Sequence, residues 1–134
     1  MEPRLSRLPF SSEELGLFTD LYELTMAQVY FRQEIFAPAT FSLFIRQYPP
    51  NRAYFVSAGL EDVLEYLSAF RFEDSTLDYL RSEGHFAEDF LDYLAELRFT
   101  GTVRGISEGR LFFANEPVLE ITAPMVEAQL VETF

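Results

Sequence analysis

The stretch TVRGISEGRLFFANEPVLEIT, residues 102–122, decides the fold class. It holds three β-favouring runs, Thr102–Ser107, Arg110–Ala114 and Val118–Thr122. Glu108-Gly109 separates the first two and Asn115-Glu116-Pro117 the last two, both of turn composition. Three strands follow one another here with no helix between them. That excludes the alternating β-α order of a doubly wound sheet and points to an α+β domain with a small, mostly antiparallel sheet and several helices.

Upstream, the period changes to that of helices. Leu60, Val63, Leu64 and Leu67 recur at helical intervals over 60–70. Asp74 or Ser75 caps a second helix carrying Leu77 and Leu80 and ending near Gly84, and Phe86, Phe90, Leu94 and Leu97 line a third. Further back, residues 36–47 read as a strand whose Phe41, Leu43 and Ile45 form one buried face, closed by Tyr48-Pro49-Pro50-Asn51-Arg52. Residues 53–58 read as a short second strand. A first helix begins at Thr19–Asp20, with Thr as its cap, and shows an apolar face of Leu21, Leu24, Ala27, Gln28 and Phe31 up to about Gln33. Residues 1–17, broken by Pro3 and Pro9, read as an irregular, poorly anchored arm. After Pro124 the spacing Val126, Leu130, Phe134 starts a helix with no stop signal, so the chain is expected to end inside an element and to be a piece of something larger.

Composition limits the function. All 10 basic residues are Arg, and the formal charge is −12. Such a field disfavours nucleic acid and anionic membrane surfaces as partners. Without Lys the chain has neither a Schiff-base nor a P-loop lysine, and without Cys no disulfide or thiolate metal site. No apolar run reaches bilayer-spanning length and no secretory leader opens the sequence, so a soluble, cytoplasmic protein is expected. With 15 Phe, 7 Tyr and no Trp, the core is expected to be built from Phe and aliphatic side chains.

Few residues carry chemistry. His85 lies between Gly84 and Phe86 in an inter-helix turn, where a solvated loop histidine is the favoured reading. The acid pairs Glu13-Glu14, Glu61-Asp62, Glu73-Asp74 and Glu88-Asp89 suit helix starts better than a Mg²⁺ site. Two segments stand out. In Thr19–Met26 the Tyr22 ring lies off the apolar face, a candidate for stacking on a flat ligand or a partner, although a plain surface tyrosine is the more frequent outcome of such a position. Arg46 ends a strand on the face opposite Leu43 and Ile45, where a guanidinium can fork onto phosphate or carboxylate; on composition alone an ion pair with one of the acids is favoured.

At these two segments the sequence resembles the nicotinate phosphoribosyltransferases. Thr19-Asp20-Leu21-Tyr22-Glu23-Leu24-Thr25-Met26-Ala27-Gln28 is similar to the family's opening motif. A second block, Phe41–Arg46 with Pro49 and Pro50 and then Val56–Glu61, and a third, Phe99–Gly109 with Phe112, Glu116-Pro117 and Pro124, follow in register, and Glu127–Thr133 closes the likeness over roughly residues 17–134. Four ordered blocks are far harder to meet by chance than one motif.

The resemblance implies an amino-terminal α+β domain that would precede an irregular α/β barrel: an arm over 1–17, the domain over 18–124, and over 125–134 the start of a helix leading into the barrel. It implies transfer of ribose 5-phosphate from phosphoribosyl pyrophosphate to nicotinate, coupled to ATP hydrolysis with Mg²⁺, in NAD biosynthesis, by a homodimer with shared active sites. It further implies that Tyr22 stacks on the pyridine ring, that Arg46 helps hold phosphate, and that Asp20 orients the ring pocket. No catalytic or metal-binding residue is expected in this chain, so alone it is expected to be inactive. The alternatives are a non-catalytic interaction module that retains the fold, and a nicotinamide-specific relative.

Overall fold

The computed structural model describes Ser11 and residues 14–134; of the arm read over 1–17, residues 1–10, 12 and 13 lie outside it. The inner end of that stretch is firmly packed. Leu15–Leu17 form a 3-10 turn with Leu15 fully buried. A Cβ on Gly16 would come within 2.8 Å of the Arg71 carbonyl and the Phe72 ring, so only glycine allows this approach.

Helix α1, Leu21–Arg32, starts one residue later than expected. Its cap is Asp20, in extended conformation, whose N–H donates to the Glu23 carboxylate at 2.9 Å. The inward face also differs. Glu23, Leu24 and Ala27 are buried, whereas Leu21 is 59% exposed. Helix α5, Met125–Leu130, packs against α1, and the residues after it engage the Glu23 side. The inward face therefore turns toward Glu23 and leaves Leu21 outside.

Strands β1 (Pro38–Phe44), β3 (Thr102–Gly105) and β5 (Pro117–Pro124) form an antiparallel sheet in the order β1-β5-β3. Register puts Phe41 beside Ile121, Leu43 beside Leu119 and Val103 beside Ile121, all on one apolar face. The other face is polar, with Thr40 and Thr122 hydroxyls 2.8 Å apart and Ser42 donating to Glu120 at 3.3 Å. β1 is shorter than the expected 36–47. Its apolar side is also only partly covered: Leu43 is 58% exposed and lines an open hollow with Val63, Leu119 and Phe134.

Strands β2 (Phe55–Val56) and β4 (Leu111–Phe112) pair with each other in a separate two-stranded ribbon. Glu108-Gly109 therefore joins strands of different sheets rather than closing a hairpin. Gly109, at φ 78°, donates to the Ser57 carbonyl at 2.8 Å, tying that turn to the end of β2.

Between the sheets' strands run α2 (Leu60–Ala69), α3 (Asp74–Glu83) and α4 (Glu88–Glu96). In α2 the deepest residues are Tyr66, Leu67 and Ala69, while Leu64 of the expected apolar face is largely exposed. The cap of α3 is Glu73, and Gly84 in the left-handed region ends it as expected. In α4 Phe90, Leu91 and Leu94 are buried, with Leu97 following. These side chains join Ile121, Ala123 and the α5 residues Val126, Ala128 and Leu130 in one core. The chain does not end inside a helix: α5 stops at Leu130, and the Val131 N–H bonds back to the Glu127 carbonyl.

Candidate functional site

The start of α1 lies where the structure concentrates hydrogen-bonding groups. Glu23 has no exposed surface, and every group bonded to its carboxylate is a donor. The Thr19 hydroxyl, the Asp20 N–H at 2.9 Å and the Thr133 hydroxyl at 2.9 Å reach Oε2. The Thr133 hydroxyl also lies 2.8 Å from Oε1, and the Tyr22 phenol donates to Oε1 at 3.3 Å. Sequence reading passed over Glu23. The available signal was its position three residues after Asp20, the spacing of a capping box.

Tyr22 stands off the inward face, as its position predicted, and is 49% exposed. Its surroundings raise the phenol pKa, first through desolvation and then through the carboxylates of Glu23, Glu132 and Asp20. The ring thus stays neutral at physiological pH. Leu21, Met26 and Val29 are exposed near it on the outer side of α1 and make that surface apolar. Asp20 is exposed and uses its backbone to begin the helix.

Arg46 lies two residues beyond the end of β1, not on the strand, and is exposed. No carboxylate among the described residues lies within ion-pair distance of it, in contrast to Arg71 with Glu73 and Arg81 with Asp78 and Glu88. No hydrogen bond joins Arg46 to Tyr22 or Asp20. Neither Arg46 nor any residue of 19–26 lines the open hollow of about 350 Å³ on the apolar sheet face, which reaches them only through neighbours. Leu43, on the strand leading to Arg46, lines one part of it; Thr133, held by Glu23, lines another.

His85 is exposed in the α3–α4 turn, where its carbonyl and the Ala87 N–H are clasped by the Gln28 side chain at 3.5 and 2.8 Å. Glu61-Asp62, Glu73-Asp74 and Glu88-Asp89 all sit at helix starts, as read from the sequence. Of the remaining pair, Glu13 lies outside the described residues. The Glu14 carboxyl is held below its ordinary range by the Ser11 N–H and hydroxyl. A second buried acid also went unread: Glu127 of α5 accepts from the Thr100 N–H at 2.7 Å and its hydroxyl at 2.9 Å.

Residues 17–134 match the family model described as the nicotinate phosphoribosyltransferase N-terminal domain. The chain is 52% identical over 119 residues to nicotinate phosphoribosyltransferase pncB2 of Mycobacterium tuberculosis, covering 89% of this chain and 26% of that protein. It is 48% identical over 125 residues to nicotinate phosphoribosyltransferase of Bacillus subtilis, covering 92% and 26%. The crystal structure of human nicotinic acid phosphoribosyltransferase superposes with a TM-score of 0.76 at 37% identity, covering 86% of this chain and 24% of that one. The chain thus spans about a quarter of the length of these relatives.

Proposed function

We propose, from the premise that this chain belongs to the nicotinate phosphoribosyltransferase family, that it is the amino-terminal part of an enzyme of NAD salvage. The enzyme joins nicotinate and phosphoribosyl pyrophosphate into nicotinate mononucleotide and pyrophosphate, with ATP hydrolysed to ADP and phosphate. The observation that carries this reading is Tyr22: within a matched motif, an aromatic ring projects from a helix start into solvent, fixed at its hydroxyl end. A neutral ring so presented can stack on the flat pyridine of nicotinate.

The exposed apolar side of α1 around Leu21, Met26 and Val29 supports a partner subunit here, so the reading includes a homodimer whose active site is shared. Arg46, exposed and without a carboxylate partner among the described residues, is free to meet a phosphate group, and Asp20 orients the helix start beneath the ring. The reading includes ATP and Mg²⁺ as cofactors of the whole enzyme, bound mainly by residues outside this chain. No helix of the described residues is long and apolar enough to cross a membrane, and a cytoplasmic enzyme is part of the same proposal.

Tyr22→Ala in the full-length enzyme tests the reading. Losing one aromatic stack on a flat ring is expected to weaken nicotinate binding by about 1–3 kcal/mol, seen as a higher KM for nicotinate. An unchanged nicotinate KM and kcat would reject the assignment.

A further inference from the structure

Two neighbouring residues of α1 behave differently: Tyr22 projects outward and Glu23 is sealed inside, yet a hydrogen bond joins them. Adjacent helical residues point about 100° apart, so they do not ordinarily face each other. For the Tyr22 hydroxyl to reach Glu23 Oε1 at 3.3 Å, the ring must lean along the helix start with its hydroxyl end turned toward Glu23, while about half of the residue stays exposed. A half-exposed tyrosine without such a bond would exchange rotamers freely. Here one rotamer is held.

The anchor itself cannot swing. Glu23 Oε2 is fixed by the Thr19 hydroxyl and the Asp20 N–H, and Thr133 grips both carboxylate oxygens from the residues after α5. The Asp20 N–H can only donate, so Oε2 must accept; the Thr19, Thr133 and Tyr22 hydroxyls donate to the charged carboxylate, and an uncharged glutamine amide would weaken those bonds and force the hydroxyls that meet its NH2 to reverse direction. Burying an acid is costly unless every oxygen is satisfied, and this one is satisfied by groups from two distant parts of the chain.

We propose that Glu23 is the positioning residue for the substrate ring: it holds the Tyr22 side chain in its stacking orientation and couples that orientation to Thr133 beyond α5. This rests on the reading of Tyr22 as the nicotinate-stacking ring. Glu23 does not touch substrate. It acts by removing the freedom that Tyr22 would otherwise lose on binding, which is a contribution to affinity rather than to the chemical step.

The test uses the full-length enzyme carrying Glu23→Gln, Tyr22→Phe, both together, Thr133→Val, or Tyr22→Ala. Glu23→Gln is expected to raise the nicotinate KM roughly five- to tenfold, leaving kcat and the phosphoribosyl pyrophosphate KM within about twofold. Tyr22→Phe keeps the ring but loses the bond and should raise the same KM by about threefold; the double variant should be no worse than Glu23→Gln alone. Thr133→Val should shift the nicotinate KM in the same direction. A lowered melting temperature with an unaltered nicotinate KM in Glu23→Gln would reduce Glu23 to a packing role and overturn the proposal. Should Glu23→Gln fail to fold, an unaltered KM in Tyr22→Phe overturns it equally. If Tyr22→Ala itself leaves the nicotinate KM unchanged, the stacking reading has failed and takes the positioning role with it. If Tyr22→Ala raises KM while Glu23→Gln and Tyr22→Phe do not, only the positioning role is lost.

Discussion

Tyr66 buries its whole side chain against Phe134, the rings stacked 4.0 Å apart, and its hydroxyl finds no hydrogen-bond partner among the described residues. Burial, and after it the Glu23 carboxylate, push the phenol pKa up from the ordinary 10.0. The stability consequence has a definite sign. Above pH 10 the unfolded phenol loses its proton while the folded one keeps it, so the unfolded state binds fewer protons and stability falls. The contribution is present in full below the ordinary value and is lost as pH rises through the folded one. Tyr66→Phe is therefore expected to change the unfolding free energy near neutral pH by less than about 1 kcal/mol, since no bond is given up. It should also flatten the alkaline decline measured by urea unfolding at several pH values. A loss of about 3 kcal/mol or more would reveal a partner for the hydroxyl. At this scale the sequence was legible where side-chain direction follows from helical period, as for Tyr22. It was illegible where polar groups are buried by partners distant in the chain, as Glu23 is by Thr133 and Glu127 by Thr100.

Helix α2 shows how one element depends on another. Its first position follows Gly59, which has φ 93° and no side chain to cap the exposed N–H groups. Glu108, from the turn after β3, supplies what is missing: one carboxylate oxygen accepts from Gly59 N–H at 3.0 Å and Glu61 N–H at 3.1 Å. An acid at a helix start also meets the positive end of the helix dipole. Glu108→Ala is expected to cost about 1 kcal/mol, the scale of a lost N-cap, and Glu108→Gln less because it retains an acceptor. Thermal unfolding of the two variants measures the difference; equal and negligible shifts would show that solvent caps α2 as well as Glu108 does. Helices α3 and α4 could be read because their signals are local: Leu and Phe at helical spacing and a glycine at the stop. Strand partners could not. β4 pairs with β2, more than fifty residues earlier, over only two residues, while the local turn composition at Glu108-Gly109 imitates a hairpin. The end of α5 was hidden for the same reason. Neither Gly nor Pro stops it; the residues beyond are drawn off the helix by Thr133 on Glu23 and Phe134 on Tyr66.

At the scale of the molecule, charge decides what these residues can do alone. Moving a phosphoribosyl group requires positive groups around the departing pyrophosphate and the developing positive sugar to be held in line. The chain carries −12 overall, and several of its arginines are already engaged. Arg71 meets Glu73 at 2.5 Å, Arg81 meets Asp78 at 2.7 Å and Glu88 at 3.0 Å, and Arg98 donates to the Leu97 and Ala95 carbonyls. On the proposed reading, the Arg46 guanidinium and the Tyr22 ring complete a site and do not form one by themselves. Residues 1–134 supplied with nicotinate, phosphoribosyl pyrophosphate, ATP and Mg²⁺ are therefore expected to form no nicotinate mononucleotide, whereas a polypeptide extended to the length of the relatives forms it. The open hollow beside Leu43 agrees with a surface that more protein covers, and amide hydrogen exchange at β1 should slow in the longer chain as that edge is protected. Turnover by the short chain would place the catalytic groups within these residues and overturn the assignment of Tyr22 and Arg46 as contributors to a larger site. A longer chain that folds, protects β1 and still lacks activity would transfer the reading to a binding module that has kept the fold without the chemistry.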